Sequence, residues 1–323
     1  MKRSLWVRAG VVFFVAFLLL SCRGPAETGP RLGVVLKALD SEFWLSVKDG
    51  AEKAAEELQV EITVLAPPSE NDVEKQITII EDLISQKVSG LAVSATDVAA
   101  VVPPLERGAE RNIPFVTLDS DARSEKKVAF IGTDNFRGGQ LAGEYLVRQL
   151  GGKGQVALIT GVPGQQAHVA RRDGFLDVIE KAKGINLVAS QPANSDRSLA
   201  MKVMENILQA HPDLQAVFVT SAAMAMGAGR AVKSGKKEGR IVLVGFDTSR
   251  EILLAIGKGE VSATIAQNPF QMGYLAVKEL YRAVQGEEPT AKRIDTGTAV
   301  VTSENYKEYL PEEPAADQEN SAR

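Results

Sequence analysis

Residues 241–250 read IVLVGFDTSR. The run 241–245 is apolar or glycine throughout, without alternation, which is the pattern of a strand buried on both faces of a parallel sheet. Phe246 and Asp247 follow where such a strand ends. In open α/β sheets ligands bind in the crevice outside the carboxyl ends of the strands, so a carboxylate here is placed to meet a ligand. An Asp at this point serves equally well as the cap of a following helix, and the stretch alone leaves both roles open.

Outward from it the same strand, turn and helix unit repeats. Strands read at 155–160, 185–190, 216–220, 241–246 and 262–266, separated by helices near 167–182, 198–210, 222–234 and 249–256. An earlier series starts at residue 31. A strand at 32–36 leads to a helix at 41–58 with Trp44, Val47, Ala51, Ala54 and Leu58 on one face, then a strand at 61–65. Val73, Ile77, Ile80 and Ile84 mark another amphipathic helix, and 90–93, 114–118 and 128–131 read as strands. The segment 97–111 carries Pro103-Pro104, so its helix is interrupted or begins at those prolines. A helix follows residue 135 through 150, another spans 270–285, and a last strand lies at 298–302. Strands alternating with helices in two series predict an α/β protein with two doubly wound parallel sheets.

The 323 residues are 45% hydrophobic and 24% charged, ordinary for a globular protein of two domains, and a formal net charge of -4 offers no basic surface for nucleic acid. The N-terminus is set apart. Lys2, Arg3 and Arg8 precede an apolar run at 9–20 that is too short for a membrane span, which needs about 20 residues, and reads as a secretory signal. It ends in Leu19-Leu20-Ser21-Cys22, and Cys22 is the single cysteine. This resembles a bacterial lipoprotein lipobox, which implies cleavage before Cys22, its acylation, and a protein tethered outside the cytoplasmic membrane. A mature chain with no other thiol has no disulfide and no thiolate metal site. Residues 23–30 read as a linker, and 311–323, acidic and without large apolar side chains, as a disordered tail.

Enzyme signatures are missing: G-x-x-x-x-G-K-[ST], G-x-S-x-G and H-E-x-x-H are all absent. His168 and His211 are the only histidines, too few for a three-His metal site, and His211-Pro212 reads as a helix end. Gly161-Val162-Pro163-Gly164 reads as a tight loop rather than a phosphate cradle, and Asp119 and Asp121, two apart beyond a strand end, diverge too readily to form an acid/base pair. No enzyme activity, cofactor or metal is expected. What remains is strand-end binding chemistry. A carboxylate accepts paired hydrogen bonds from vicinal hydroxyls, and the C–H faces of a sugar ring favour aromatic surfaces; Phe43-Trp44, Asp119, Phe246-Asp247 and Gln267 supply such groups.

Several segments in order carry a family resemblance: SEFWLSVKDGAEKAAEEL, IPFVTLDSDA, FIGTDNFRGGQLAGEYL, ANSDRSLAMKVMENILQAHPDLQAVF, IVLVGFD and VSATIAQNPFQMG. From residue 32 to about 302 the chain resembles bacterial sugar-binding proteins of the ribose- and galactose-binding type, type I periplasmic binding proteins that serve ABC importers. The resemblance implies two similar lobes joined by a three-strand hinge near 132–134, 266–268 and 296–298. The N-terminal lobe would comprise 31–133 and 268–297, the C-terminal lobe 134–267 and 298–310. It further implies Phe43 and Trp44 as ring-stacking walls, Asp119 and Asp247 as hydroxyl acceptors, Phe246 as a wall from the other lobe, and Gln267 at the hinge. Ser41, Ser94 and Ser221 stand where the ribose-binding pattern has Asn, Ser120 where it has Arg, Val169 where a second Arg is expected, and Lys37 in place of a smaller polar residue. All but Val169 count among the expected ligand-binding positions, and their changes speak against ribose itself.

The expected function is that of an envelope-tethered, monomeric solute-binding lipoprotein that captures a sugar or polyol and delivers it to an ABC permease and its ATPase. Two alternatives remain open at this stage: a sensor subunit for a chemoreceptor or histidine kinase, and a binder of a non-sugar solute such as a furanone signal or an acidic molecule. Cytoplasmic repressors related to the lactose repressor share the fold but carry a helix-turn-helix of about 60 residues where this chain has its lipobox.

Overall fold

The computed structural model describes residues 29–310, so the lipobox with Cys22, most of the linker and the 311–323 tail lie outside the described residues. Two six-stranded sheets form, each wrapped by helices. In the first, β1 (Arg31–Val35), β2 (Glu61–Leu65), β3 (Gly90–Val93), β4 (Phe115–Leu118), β5 (Phe130–Gly132) and β11 (Arg293–Asp295) pair in the order β11-β5-β4-β3-β1-β2, all parallel. In the second, β6 (Gly154–Thr160), β7 (Ile185–Pro192), β8 (Ala216–Val219), β9 (Val242–Phe246), β10 (Ala263–Ala266) and β12 (Ala299–Val301) pair in the order β12-β10-β9-β8-β6-β7.

Two features depart from the sequence reading. β12 runs antiparallel to β10, because the chain re-enters this sheet with Ala299 beside Ala266, the last residue of β10, and must run back along it. β11 was not expected at all: three residues with only Ile294 apolar carry no periodicity to read. The chain passes between sheets after β5, after β10 and after β11.

Each sheet buries both faces. In the first, α1 (Glu42–Leu58) and α9 (Pro269–Val284) cover one face, and α2 (Val73–Ser85) and α3 (Val102–Ala109) cover the other. Pro103 and Pro104 lie in the first turn of α3, where a missing N–H breaks no helical hydrogen bond. In the second sheet, α4 (Asn135–Gln149) and α5 (Gln166–Lys181) cover one face, and α6 (Arg197–Ala210), α7 (Ala222–Ser234) and α8 (Arg250–Gly257) the other.

The first helix after each of the first two crossings is pinned in the same way. Asp134 caps α4 by accepting from the Arg137 N–H, and Asn268 caps α9 by accepting from Gln271 N–H. Each then packs on a partner helix through reciprocal glycines. A Cβ on Gly50 of α1 would lie 2.0 Å from the Phe270 carbonyl oxygen and one on Gly273 of α9 1.9 Å from that of Val47; for Gly139 of α4 and Gly174 of α5 the distances are 2.0 Å to Arg171 and 1.9 Å to Phe136. Backbone meets backbone with no room for a methyl group.

Gly174→Ala therefore pushes α5 off α4 and lowers the unfolding free energy by about 1–3 kcal/mol, the usual range for overpacking. Gly229→Ala is the control. Its added methyl meets only the Leu243 side chain, at 3.4 Å, and it leaves stability unchanged or raises it by about 1 kcal/mol through helix propensity. Urea unfolding followed by circular dichroism separates the two.

Candidate ligand-binding site

The carboxyl ends of the central strands of both sheets converge on one cluster of buried polar groups. Asp119 follows β4 and Asp247 follows β9. Both adopt left-handed backbone conformations, with φ of 58° and 74°, and both backbone N–H groups donate to the neighbouring strand, to Ile131 and Ile265 at 2.9 and 2.8 Å. Non-glycine residues enter this region at an energetic cost, and they do so most often where the surrounding structure needs the side chain aimed. The two sheets thus present one carboxylate each from equivalent corners.

In the first sheet Lys37, beyond β1, is 4% exposed and donates from Nζ to Asp119 Oδ2 at 2.9 Å and to Ser120 Oγ at 2.5 Å. Ser94 and Ser120 also donate to Oδ2, at 3.2 and 3.1 Å. Three donors therefore serve Oδ2, and none among the described residues reaches Oδ1. Burial pushes the Asp119 carboxyl up, but the Lys37 charge and hydrogen bond, aided by Arg171 and Ser120, outweigh it and hold the group below the ordinary carboxylate range. The Lys37 ammonium also lies 5.6 Å from the Trp44 ring centroid. Trp44 donates its indole N–H to Glu70 Oε1 at 2.7 Å, and Phe43 meets its ring edge-on at 4.9 Å between centroids.

The second sheet supplies the opposing half. Asp247 Oδ1 accepts from Gln267 Nε2 at 2.5 Å, and its carbonyl accepts from Thr264 Oγ1 at 2.7 Å. Burial raises this carboxyl above its ordinary value; Arg171 opposes the rise, while the negative charge of Asp119 adds to it. Arg171, 3% exposed, donates from Nε to Asn135 Oδ1 at 2.8 Å and from Nη1 to the Thr220 carbonyl at 2.9 Å. Among the described residues Ser221 Oγ and Gln267 Oε1 are buried without a partner. Buried polar atoms are almost always paired, and among the described residues Thr96, Thr133 and Thr296 Oγ1 share this condition.

Two expectations need correction. Phe246 is no wall of the cleft: its ring is fully buried against Phe218, because residues 244 and 246 share the strand face that packs under α4 and α5. The Arg171 guanidinium covers that ring at 3.6 Å and takes the position at the site. Ser41 precedes α1 as an exposed N-cap residue with no side-chain hydrogen bond, outside the buried cluster. Asp121 does diverge from Asp119, accepting from Thr117 Oγ1 at 2.7 Å and pairing with Lys127 at 3.1 Å.

The two halves touch directly on either side of the cluster. The Asp121 N–H donates to Gln166 Oε1 at 2.9 Å, and the Arg250 N–H at the start of α8 donates to Glu42 Oε2 at 2.7 Å. The second contact sets a carboxylate from one sheet's helix against the positive end of a helix from the other.

A periplasmic binding protein domain matches residues 32–288. The ribose import binding protein of Escherichia coli strain K12 is 36% identical over 261 residues, covering 81% of this chain and 87% of that protein. The chain belongs to the periplasmic binding protein family. The D-allose-binding periplasmic protein of the same strain is also 36% identical, over 78% of this chain and 84% of its own length. Among solved structures, the glucose-galactose binding protein GanP of Geobacillus stearothermophilus superposes with a TM-score of 0.81 at 34% identity, covering 85% of this chain and 98% of that one. A carbohydrate transporter solute binding protein of Agrobacterium radiobacter in complex with D-arabinose gives 0.83 at 28% identity, over 88% and 100%.

Three polar groups in or beside this cluster were not assigned from the sequence of this periplasmic binding protein: Arg171, Glu70 and His168. Arg171 was legible as a cation in R-R-D-G-F, but only the fold shows that it turns inward. Glu70 lies in a loop after Pro67-Pro68 with no periodicity, and His168 was a lone histidine on a helix.

The Lys37–Asp119 pair sets a stability prediction. Because the native pKa of Asp119 is lowered, the pair stabilises the fold above the ordinary carboxylate range, and that contribution disappears as pH falls through the lowered native value. Lys37→Met strands a buried carboxylate and costs about 3–5 kcal/mol at pH 7. The variant's dependence then reverses: burial, opposed only by Arg171 and the serine hydroxyls once the Lys37 charge is gone, raises Asp119, so the deficit shrinks on acidification toward pH 5, and adding Asp119→Asn restores much of the loss. Urea titrations at pH 5 and 7 measure both.

Proposed function

We propose that this protein is the solute-binding subunit of an ABC importer, which traps a sugar or related polyol between two closing lobes and presents it to a permease. The observation that carries this reading is the opposed pair Asp119 and Asp247, one from each sheet, with Asp119 Oδ1, Ser221 Oγ and Gln267 Oε1 unengaged among the described residues. Two carboxylates flanked by hydroxyl and amide groups suit vicinal hydroxyls. The sugar ligands of the relatives support the same class. Lys37 is already paired with Asp119, which favours a neutral ligand over an acidic one.

In this mechanism the lobes are 31–133 with 268–297 and 134–267 with 298–310, and they rotate about the three crossings. Separation breaks the Glu42 and Gln166 contacts and lets the carboxylates part. A ligand that bonds to both aspartates stabilises the closed form by contacts absent from the open one, and the permease reads the closed face. We assign Phe43 and Trp44 to the ring face, Ser94, Ser120 and Lys37 to holding Asp119, and Cys22 to a lipid tether outside the cytoplasmic membrane. The protein acts as a monomer that makes and breaks no covalent bond.

Thermal unfolding with D-ribose, D-allose, D-arabinose, D-galactose and common polyols tests the reading. At a hundred times its Kd a ligand adds about 2.7 kcal/mol of stability, and Asp247→Ala abolishes the shift. No shift with any sugar or polyol contradicts it.

A further inference from the structure

Arg171 reaches the site from α5, and an amide at the first crossing between the sheets holds it there. Asn135, the first residue of α4, is 7% exposed and accepts from Arg171 Nε at 2.8 Å. Its Nδ2 faces the Thr133 carbonyl at 3.4 Å, within the crossing itself. The two ends of this amide are told apart by their partners. A guanidinium only donates and a carbonyl only accepts, so the oxygen turns to Arg171 and the nitrogen to Thr133.

Little freedom is left to the guanidinium. Nη1 donates to the Thr220 carbonyl at 2.9 Å, and the group lies 3.6 Å from the centre of the Phe246 ring. That ring is itself wedged: a Cβ on Gly138 of α4 would fall 2.8 Å from its Cζ, so the helix backbone already rests on it. Thr220 follows β8 just before Ser221, and Phe246 ends β9 just before Asp247, which sets the fork at the strand ends that carry the site. A guanidinium has five N–H groups. Asn135 and Thr220 take one each, and no described residue accepts from the rest. Because Asn135 is neutral, it fixes the fork without cancelling its charge, and that charge still lowers the cost of ionising Asp247.

We propose that Asn135 is a positioning residue: from the first crossing its side-chain oxygen fixes the Arg171 fork on Phe246 and leaves the remaining N–H groups to donate to a ligand oxygen beside Asp247. Gln267 does the same for Asp247 from the second crossing, where it donates to Oδ1. Each charged group that the second sheet's half brings to the site is thus tied by one amide to a segment about which the lobes turn. The site then offers fixed donors as well as two carboxylate acceptors, and takes a molecule that presents hydroxyls together with an acceptor oxygen. This last step rests on the sugar-binding reading; the bond between Asn135 and Arg171 does not.

The experiment has two arms. Proton–nitrogen correlation on arginine-labelled protein reads the bond with or without sugar, and loss of a signal in Arg171→Lys assigns the Arg171 Nε–H. In Asn135→Leu, which has no acceptor, that proton moves upfield and exchanges with solvent at least about tenfold faster, the loss of one hydrogen bond, whereas in Asn135→Asp it does neither. An unchanged signal in Asn135→Leu overturns the proposal. Calorimetry with D-ribose, D-allose and D-arabinose forms the second arm, on variants first shown by urea unfolding to keep a cooperative fold; Asn135→Ala replaces the Leu variant should that one not fold. Asn135→Leu weakens whichever sugar binds by about tenfold, the equivalent of one hydrogen bond, and Asn135→Asp, which keeps the oxygen, weakens it by about threefold or less. Unchanged affinity in Asn135→Leu, or an equal loss in both variants, overturns the proposal. If no carbohydrate binds the native protein, the sugar reading fails and the ligand's part in the proposal falls with it, while the spectrum still decides whether Asn135 holds Arg171.

Discussion

Two buried carboxylates, Asp119 and Asp247, stand at equivalent strand ends of the two sheets, and each raises the energy of the other across the cleft. Their surroundings are arranged to tolerate that repulsion. Lys37 answers Asp119 with an ion pair, and Arg171 lowers the cost of Asp247 by its charge, from a seat on the Phe246 ring. The balance is unequal. Asp119 is held low while Asp247 is left raised, so the half that contains Asp247 gains more from any group that donates to it on closing.

The scaffold keeps these groups aimed with little tolerance. Reciprocal glycines weld α1 to α9 and α4 to α5, and each of those pairs seats one sheet's helical layer at backbone contact distance. Rigid lobes matter to the mechanism because a ligand that bridges Asp119 and Asp247 reports on the angle between the sheets only if the sheets do not deform. The three crossings after β5, β10 and β11 are the points where that angle is set, and Gln267, bonded to Asp247, lies within the second of them.

Most of the frame was legible from patterning. The apolar run 241–245 and the alternation of strand with helix led directly to two sheets, and Asp119, Asp247 and Gln267 were singled out because strand ends are where such sheets bind; the fold brings the three into one cluster. What escaped had specific causes. β11 is too short and polar to show a period, and the antiparallel course of β12 depends on where the chain re-enters the sheet. Phe246 was placed at the cleft by the family resemblance, whereas its own strand turns the ring to the face that packs under α4 and α5.

The central claim is that a sugar closes the two sheets on one another through one carboxylate from each. Small-angle X-ray scattering on the protein with and without a saturating sugar tests it most directly. The account predicts a smaller radius of gyration with sugar, and the ligand-free dimensions in Asp247→Ala at the same sugar concentration. A sugar shown by calorimetry to bind while the scattering curve of the native protein stays unchanged would contradict it.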